Sequence, residues 1–236
     1  MGEKSIEHQI EELAKQLVEH FAHTKGQPFD PSLPLINSVT NVVYSLSFGY
    51  QFDLADKNFQ KLIEEASFIE KNAAGFFHLS KNDSNSTYNE ENLASCLLDL
   101  LIAGTNTTIS SLNWALLTLV NHPEIQEKVH KEIEDVFGSS GSISYQDRKA
   151  LPYTNAVIHE IMRAKYSILI ALPRQSTTNV KIGNFHIPKG TIILPDLRSV
   201  LLDPEEWETP EEFNPNHFLD KDGNFRFREA FLPFGI

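Results

Sequence analysis

The stretch Asn89–Val120 constrains this chain more than any other. Leu93, Cys96, Leu97, Leu100, Leu101, Gly104, Leu112, Ala115, Leu116 and Leu119 recur mostly at steps of three and four, which keeps one stripe facing inward along a helix. About thirty residues at ~1.5 Å each make a rod of roughly 45 Å, long enough to cross a whole domain. Asn89 or Thr87 can cap its start, with Glu90 three residues beyond Thr87 as in a capping box. Asp99 breaks the apolar run, so the rod is not a membrane span.

Its middle is unusual. Ala103-Gly104-Thr105-Asn106-Thr107-Thr108 puts a glycine and three threonines where a helix prefers Leu or Ala. Gly104 lets something lie flat on the backbone. A threonine hydroxyl can bond the carbonyl one turn back and loosen the ladder. From this segment alone a tight helix crossing with self-satisfied threonines is favoured. The competing reading is a groove for a planar ligand, with a hydroxyl aimed into it.

The chain has 236 residues, enough to bury a sizeable core in one domain or two. A net charge of −12 without a basic stripe argues against nucleic acid as the main partner. The single cysteine, Cys96, excludes a disulfide framework and is expected to be a buried core thiol rather than a ligand. No signal peptide is read at the start, and no repeat is visible.

Periodicity predicts helices over residues 5–22 (Ile6, Ile10, Leu13, Leu17 and Phe21 inward), 35–48 (Ile36, Val39, Val43, Leu46; stopped by Gly49) and 58–70. Residues 71–88 read as a surface loop with two formal glycosylation acceptors that are read as chance. Pro123 starts a further helix with Ile125, Val129, Ile133 and Val136 inward, closed by Gly138. Residues 139–144 read as a loop, and Pro152 opens a helix to about Lys165. Then the character changes. Val180–Ile182 and Phe185–Ile187 flank Gly183-Asn184 as a hairpin, 191–194 adds a strand, and Pro-aromatic coil follows. The sum is a mainly α chain with a small β-sheet, an α+β class: helical over 1–165, sheet and coil over 166–236.

Glu160 and Arg163 sit three apart on one helix and face the same way. As a surface pair they would contribute a few tenths of a kcal/mol. Val157, Ile158 and Ile161 around them suggest burial instead, and a buried pair needs further partners, which the coil with His217 could supply.

The order of motifs is more specific than any one of them: Ala-Gly-Thr-x-Thr-Thr in a long helix, Glu-x-x-Arg at 160–163, Pro173-Arg174, Phe213-Asn214-Pro215-Asn216-His217-Phe218 and Phe231-Leu232-Pro233-Phe234. This order and spacing resemble the cytochrome P-450 haem-thiolate monooxygenases of the microsomal vertebrate branch that oxidises drugs and fatty acids. Residues 152–160 and 213–219 look like that branch almost verbatim, and nearly the whole chain takes part.

The resemblance implies a single, partial domain over 1–236, haem b (iron protoporphyrin IX) as cofactor, and an apolar small-molecule substrate. It also implies NADPH-cytochrome reductase as electron donor and the cytosolic face of the endoplasmic reticulum membrane as location. Ala103, Gly104 and Thr107 match the oxygen-binding groove of the central helix, where Thr107 would hydrogen-bond dioxygen and help deliver protons. Glu160, Arg163 and His217 match the structural triad that steadies the haem-side core. Arg174 matches a propionate partner, the charge-assisted contact arginine suits. Phe234 matches the first residue of the haem loop, Phe-x-x-Gly-x-Arg-x-Cys-x-Gly.

Three departures bear on activity. The sequence stops at Ile236 inside that loop, so the axial cysteine, and with it any metal ligand, is expected beyond it; Cys96 cannot replace it. Asn106 stands where the family usually has Glu or Asp, and an amide cannot relay a proton as a carboxylate does. By the resemblance, the membrane anchor and first helices of the family are expected to be missing from residues 1–236. Between Phe68 and Asn72 the join is nearly direct where the family has a long segment roofing the substrate pocket. The chain by itself is therefore expected to be inactive. A competing reading is a non-catalytic helical product that binds haem weakly, or only other proteins.

Overall fold

The computed structural model describes residues 3–48, 90–138, 143–165 and 171–235. They fall into two compact units, Met1–Asn113 and Trp114–Ile236. The predicted helix over 58–70, the loop over 71–88, the stop at Gly49, the caps at Thr87 and Asn89 and the loop residues 139–142 lie outside the described residues.

In the first unit, α1 (Glu3–His23) and α2 (Ser32–Phe48) form an antiparallel-style pair joined through Gly26 and Pro31. Leu13 is the buried point of α1, whereas Ile10, expected inward, is 46% exposed. Gln9 takes part in the inner face instead: its Oε1 accepts from the Ser45 hydroxyl at 2.8 Å. On α2 the hydrophobic pattern also misjudged the inner face. Leu46 is exposed, and a polar set (Asn37, Thr40, Asn41 and Ser45) is buried beside Leu35, Val39 and Tyr44. A helix covered around most of its girth must bury polar residues that a one-stripe pattern assigns to solvent.

The rod is α3 (Glu90–Asn121), close to the expected bounds. Its buried line in the first unit runs Leu101, Thr105, Ile109, steps of four. Leu100, expected inward, is exposed, and so is Cys96, which corrects the expectation of a core thiol. Cys96 lies five positions before Leu101, roughly 140° around the helix from the buried line.

The second unit holds the end of α3, then α4 (Pro123–Phe137), a 3-10 turn over Tyr145–Ala150, α5 (Pro152–Ala164), α6 (Leu197–Leu201) and a 3-10 turn over Pro215–Phe218. Gly138 ends α4 with φ +67° as its N–H donates to the Glu134 carbonyl. The start of α5 has Pro152 in its first turn and Leu151 as an N-cap residue without a capping side chain. Its orphan donors are met from the neighbouring helix. Glu132 on α4 accepts from the backbone N–H groups of Tyr153 at 2.8 Å and Thr154 at 2.7 Å, and from the Thr154 hydroxyl. One carboxylate thus caps α5 and pins it to α4.

Both long faces of α5 are buried. Val157 and Ile161 pack with Ile125, Leu119 and Phe213 on one side. Ala156 joins Leu201, Trp207, Phe218, Ala230 and Phe231 on the other. The late strands form two separate two-stranded antiparallel sheets: β1 (Arg174–Gln175) with β4 (Ile192–Ile193), and β2 (Val180–Ile182) with β3 (Phe185–Ile187). The first strand was not legible, because two residues cannot show an alternation.

Candidate functional site

The best-built cluster lies in the second unit and grows from one turn of α5. Arg163 donates from Nε and Nη2 to the two carboxylate oxygens of Glu160, both at 2.8 Å. Its Nη1 donates to the carbonyls of Leu201 and Pro210 at 2.8 Å each, and Nη2 to that of Glu212 at 2.9 Å. All five guanidinium N–H groups are thereby used, and both side chains of the pair are 0% exposed. A single arginine thus ties α5 to the end of α6 and to the coil behind it.

His217 closes the cluster. Its Nδ1 lies 3.2 Å from both Glu160 oxygens, while the backbone N–H of Thr209 donates to Nε2 at 3.2 Å. An accepting Nε2 places the ring proton on Nδ1, facing Glu160, a tautomer assigned from these contacts. The Asn214 backbone N–H adds a fourth donor to Glu160, at 2.8 Å. The three residues singled out from sequence are therefore brought together.

Sequence reasoning missed the roles of Thr209, Asn214, Trp207 and Arg228. Trp207, 1% exposed, donates its indole N–H to the Val200 carbonyl at 3.0 Å. The guanidinium carbons of Arg163 and Arg228 each stand 5.0 Å from its ring centroid, a cation–π geometry. Arg228 also binds the Glu208 carboxylate at 2.9 Å and the Glu206 carbonyl. Burial pushes the Glu208 carboxyl up, but hydrogen bonds from its own backbone N–H and from Arg228 outweigh it, so the net shift is downward. The signal available in the sequence was Asn214-Pro215, a cap before a tight turn: Asn214 Oδ1 accepts from the Asn216 N–H.

His159, the residue before Glu160 on α5, sits among Phe218, Phe225 and Phe231 at centroid distances of 5.4, 4.6 and 5.0 Å. Burial lowers its pKa from the ordinary 6.5; the hydrogen bond to the Asn155 carbonyl opposes this and the Arg148 charge assists. A histidine depressed in the folded state contributes stability that is fully present above the unfolded value and is lost as pH falls through the folded one. Denaturant midpoints measured from about pH 7.5 to about pH 5 should therefore fall, and His159→Phe should flatten that fall. An unchanged pH slope in the variant would contradict this.

The other nominated residues are placed as follows. On α3 in the first unit, Ala103 and Thr107 are exposed, one turn apart, and the Thr107 hydroxyl donates to the Ala103 carbonyl at 2.7 Å. Thr108 does the same to Gly104 at 2.8 Å. Thr105 buries its hydroxyl without a partner. A Cβ on Gly104 would stand 3.1 Å from a methyl of Val43 on α2, so the glycine admits a close helix crossing on that side. Asn106 is half-buried. In the second unit, Arg174 is exposed on β1, with Nη1 3.4 Å from the Leu172 carbonyl, and Phe234 is 81% exposed.

A long helix with a glycine–threonine notch, a buried Glu-x-x-Arg pair locked to a downstream histidine, and a late Pro-aromatic coil define a recognisable class. The family model for cytochrome P450 matches residues 1–78 and 66–236, and the chain belongs to that family. It is 37% identical to cytochrome P450 2J5 of Mus musculus over 294 residues, covering 100% of this chain and 58% of the relative. It is 36% identical to cytochrome P450 2J2 of Homo sapiens (100% and 59%) and 35% to cytochrome P450 2H2 of Gallus gallus (99% and 59%). The chain thus spans 58–59% of the length of these relatives. The 294 aligned residues exceed the chain's 236, so the mouse protein carries residues with no counterpart here. The two pieces of the family match meet between residues 66 and 78, around the expected near-direct join.

Membership of this family implies haem. The residues present suit part of that group. Arg174 offers an exposed guanidinium to a carboxylate, and α3 offers the small, exposed Ala103–Thr107 face. Among the described residues no group of three or more His, Cys, Asp and Glu side chains could hold a metal ion by themselves, and Cys96, the single cysteine of the sequence, is exposed on α3.

Proposed function

We propose that these residues are part of a haem b monooxygenase that inserts one oxygen atom of dioxygen into an apolar small molecule, a xenobiotic or a fatty acid. Electrons would come from NADPH through NADPH-cytochrome reductase, at the cytosolic face of the endoplasmic reticulum membrane. The supporting observation is the family match, whose two pieces, residues 1–78 and 66–236, together cover the chain. Bound haem would supply the activation of dioxygen.

The chain's own residues have narrower tasks. Arg174 would hold a propionate. Ala103 would let the ligand approach α3 closely, and Gly104, with Val43 of α2 in the space of its missing Cβ, would hold the helix crossing behind that face. Thr107 would position a hydrogen bond on the same face. Its proton points to the Ala103 carbonyl, so its lone pairs face outward and the hydroxyl must rotate before it can donate. Asn106 can donate from its amide but cannot pass a proton on, which would make turnover slow or uncoupled. Phe234 would open the haem loop. Glu160, Arg163 and His217 would steady the coil beneath it.

The test is turnover by the protein isolated from its natural source, with NADPH, reductase and isotopically labelled dioxygen. One labelled atom in the product is expected, and product oxygen drawn from water would contradict the reading. A second reading is favoured by the place of Cys96, the single cysteine of the sequence, two to three turns before Gly104 on α3, where it cannot stand in as the axial ligand: a polypeptide of these 236 residues alone is non-catalytic, a weak binder of haem or only of protein. Reduced and exposed to carbon monoxide with haem, it should lack the long-wavelength band of a thiolate-ligated haem. Appearance of that band would overturn this second reading.

A further inference from the structure

We propose that the α2–α3 crossing is built around a buried water site, with Asn37 and Thr40 of α2 and Thr105 of α3 as its protein ligands. The three residues are 8%, 3% and 7% exposed. Asn37 Oδ1, Thr40 Oγ1 and Thr105 Oγ1 find no hydrogen-bond partner among the described residues. Buried polar oxygens are costly when dry and unpaired, so three of them in one compact unit call for a partner from outside the chain.

The threonines make the point sharper. A helical threonine can always donate to the carbonyl four residues back. Thr107 and Thr108, exposed on α3, do so at 2.7 and 2.8 Å. Thr105 is buried and needs that bond more, yet it does not make it to Leu101, and Thr40 does not make it to Ile36. Both hydroxyls are left for a partner off their own helix.

Their places on the two helices fit one shared site. A Cβ on Gly104 would stand 3.1 Å from a Val43 methyl, which marks where α2 and α3 cross. Thr105 follows Gly104, and Thr40 lies three residues before Val43, so each is within one turn of the crossing. Asn37 lies a further three residues along α2, on the same side as Thr40. Crossed helices separate on either side of their closest point, and short side chains there leave space that a leucine would fill. All three oxygens are neutral, with no carboxylate among them to offset a cation. A water can donate to Asn37 Oδ1 and either donate to or accept from the two hydroxyls, which gives it the two to four polar partners a buried water makes. Thr105 lies two residues before Thr107, so this water ties to α2 the turn of α3 that carries the Ala103–Thr107 face. The inference goes beyond the catalytic reading and does not require it, and its readouts need no haem.

The experiment places Thr40→Val and Thr105→Val, singly and together, in the full chain and follows urea unfolding by far-UV circular dichroism. Were the hydroxyls dry, deleting an unpaired buried oxygen would stabilise the fold, and the two gains would add. With a shared water, each single variant should instead lower the folded-to-unfolded ratio roughly threefold to tenfold. The double variant should then lose clearly less than the product of the two, because the first substitution already breaks the bridge. A second measurement uses the unsubstituted chain: nuclear Overhauser transfer from a long-lived water to the amide protons of Thr40 and Thr105 is expected, and it should vanish in the double variant. Stabilisation by either valine, losses that simply multiply, or no transfer in the unsubstituted chain would each overturn the proposal. So would stabilisation by sodium or potassium over choline at equal ionic strength, abolished in the double variant, which would make the ligand a cation.

Discussion

Arg163→Ala should leave the second unit unable to hold its native packing. The substitution strands Glu160, which is 0% exposed, and removes donors from the carbonyls of Leu201, Pro210 and Glu212. Breaking a buried pair by deleting one partner costs roughly 3–5 kcal/mol. Each carbonyl left dry and unpaired adds about 1–3 kcal/mol, less whatever water can enter to relieve it. Set against a total stability of about 5–15 kcal/mol, the sum reaches the unfolding threshold. Arg163→Lys should also destabilise strongly. An ammonium has three donors and no fork, so it cannot serve two carboxylate oxygens and three carbonyls at once. Lys131→Ala, on the exposed side of α4, is the control and should fall within about 0.5 kcal/mol. Urea unfolding followed by far-UV circular dichroism reads all three. A loss below about 1 kcal/mol for Arg163→Ala would mean that the network is solvated in solution.

Trp207→Ala is expected to be nearly as severe, for a different reason. The indole is 1% exposed and touches Phe218 and His217 at ring distances of 5.4 and 5.6 Å. Truncating a buried aromatic of this size costs roughly 3–5 kcal/mol in lost transfer energy and cavity. Trp207→Phe should recover most of that, losing chiefly the N–H bond to Val200, about 1–2 kcal/mol. Arg163 lies against the ring, so the two sites are in contact and their effects should not add. A double variant with Arg163→Ala that unfolds at the summed cost would contradict that coupling.

What could be read from sequence depended on how local the signal was. The rod, α4 and α5 were legible because their periodicity and their Pro and Gly punctuation lie within a few turns. The Glu160–Arg163 pair was legible as neighbours on one face, and His217 through the order of motifs. Other features had no local signature. The carbonyls that saturate Arg163 lie 38 to 49 residues away, at the end of α6 and in a coil without period. The inward face of α2 was misread because its buried residues include Asn37, Thr40, Asn41 and Ser45, which pattern rules assign to solvent. Cys96 was misplaced because a three-and-four spacing admits two adjacent stripes, and only neighbouring helices decide which is covered. The Glu132 cap needed two helices to be placed side by side before it existed.

The central claim, that this chain is built to work against a thiolate-ligated haem, is tested most directly by the reduced carbon-monoxide spectrum of the protein isolated from its natural source. The account predicts the long-wavelength band of a cysteine-ligated haem, diminished when Arg174 is replaced by Ala. Full haem loading with only the shorter-wavelength band of a histidine-ligated haem, or no haem retained at all, would contradict it.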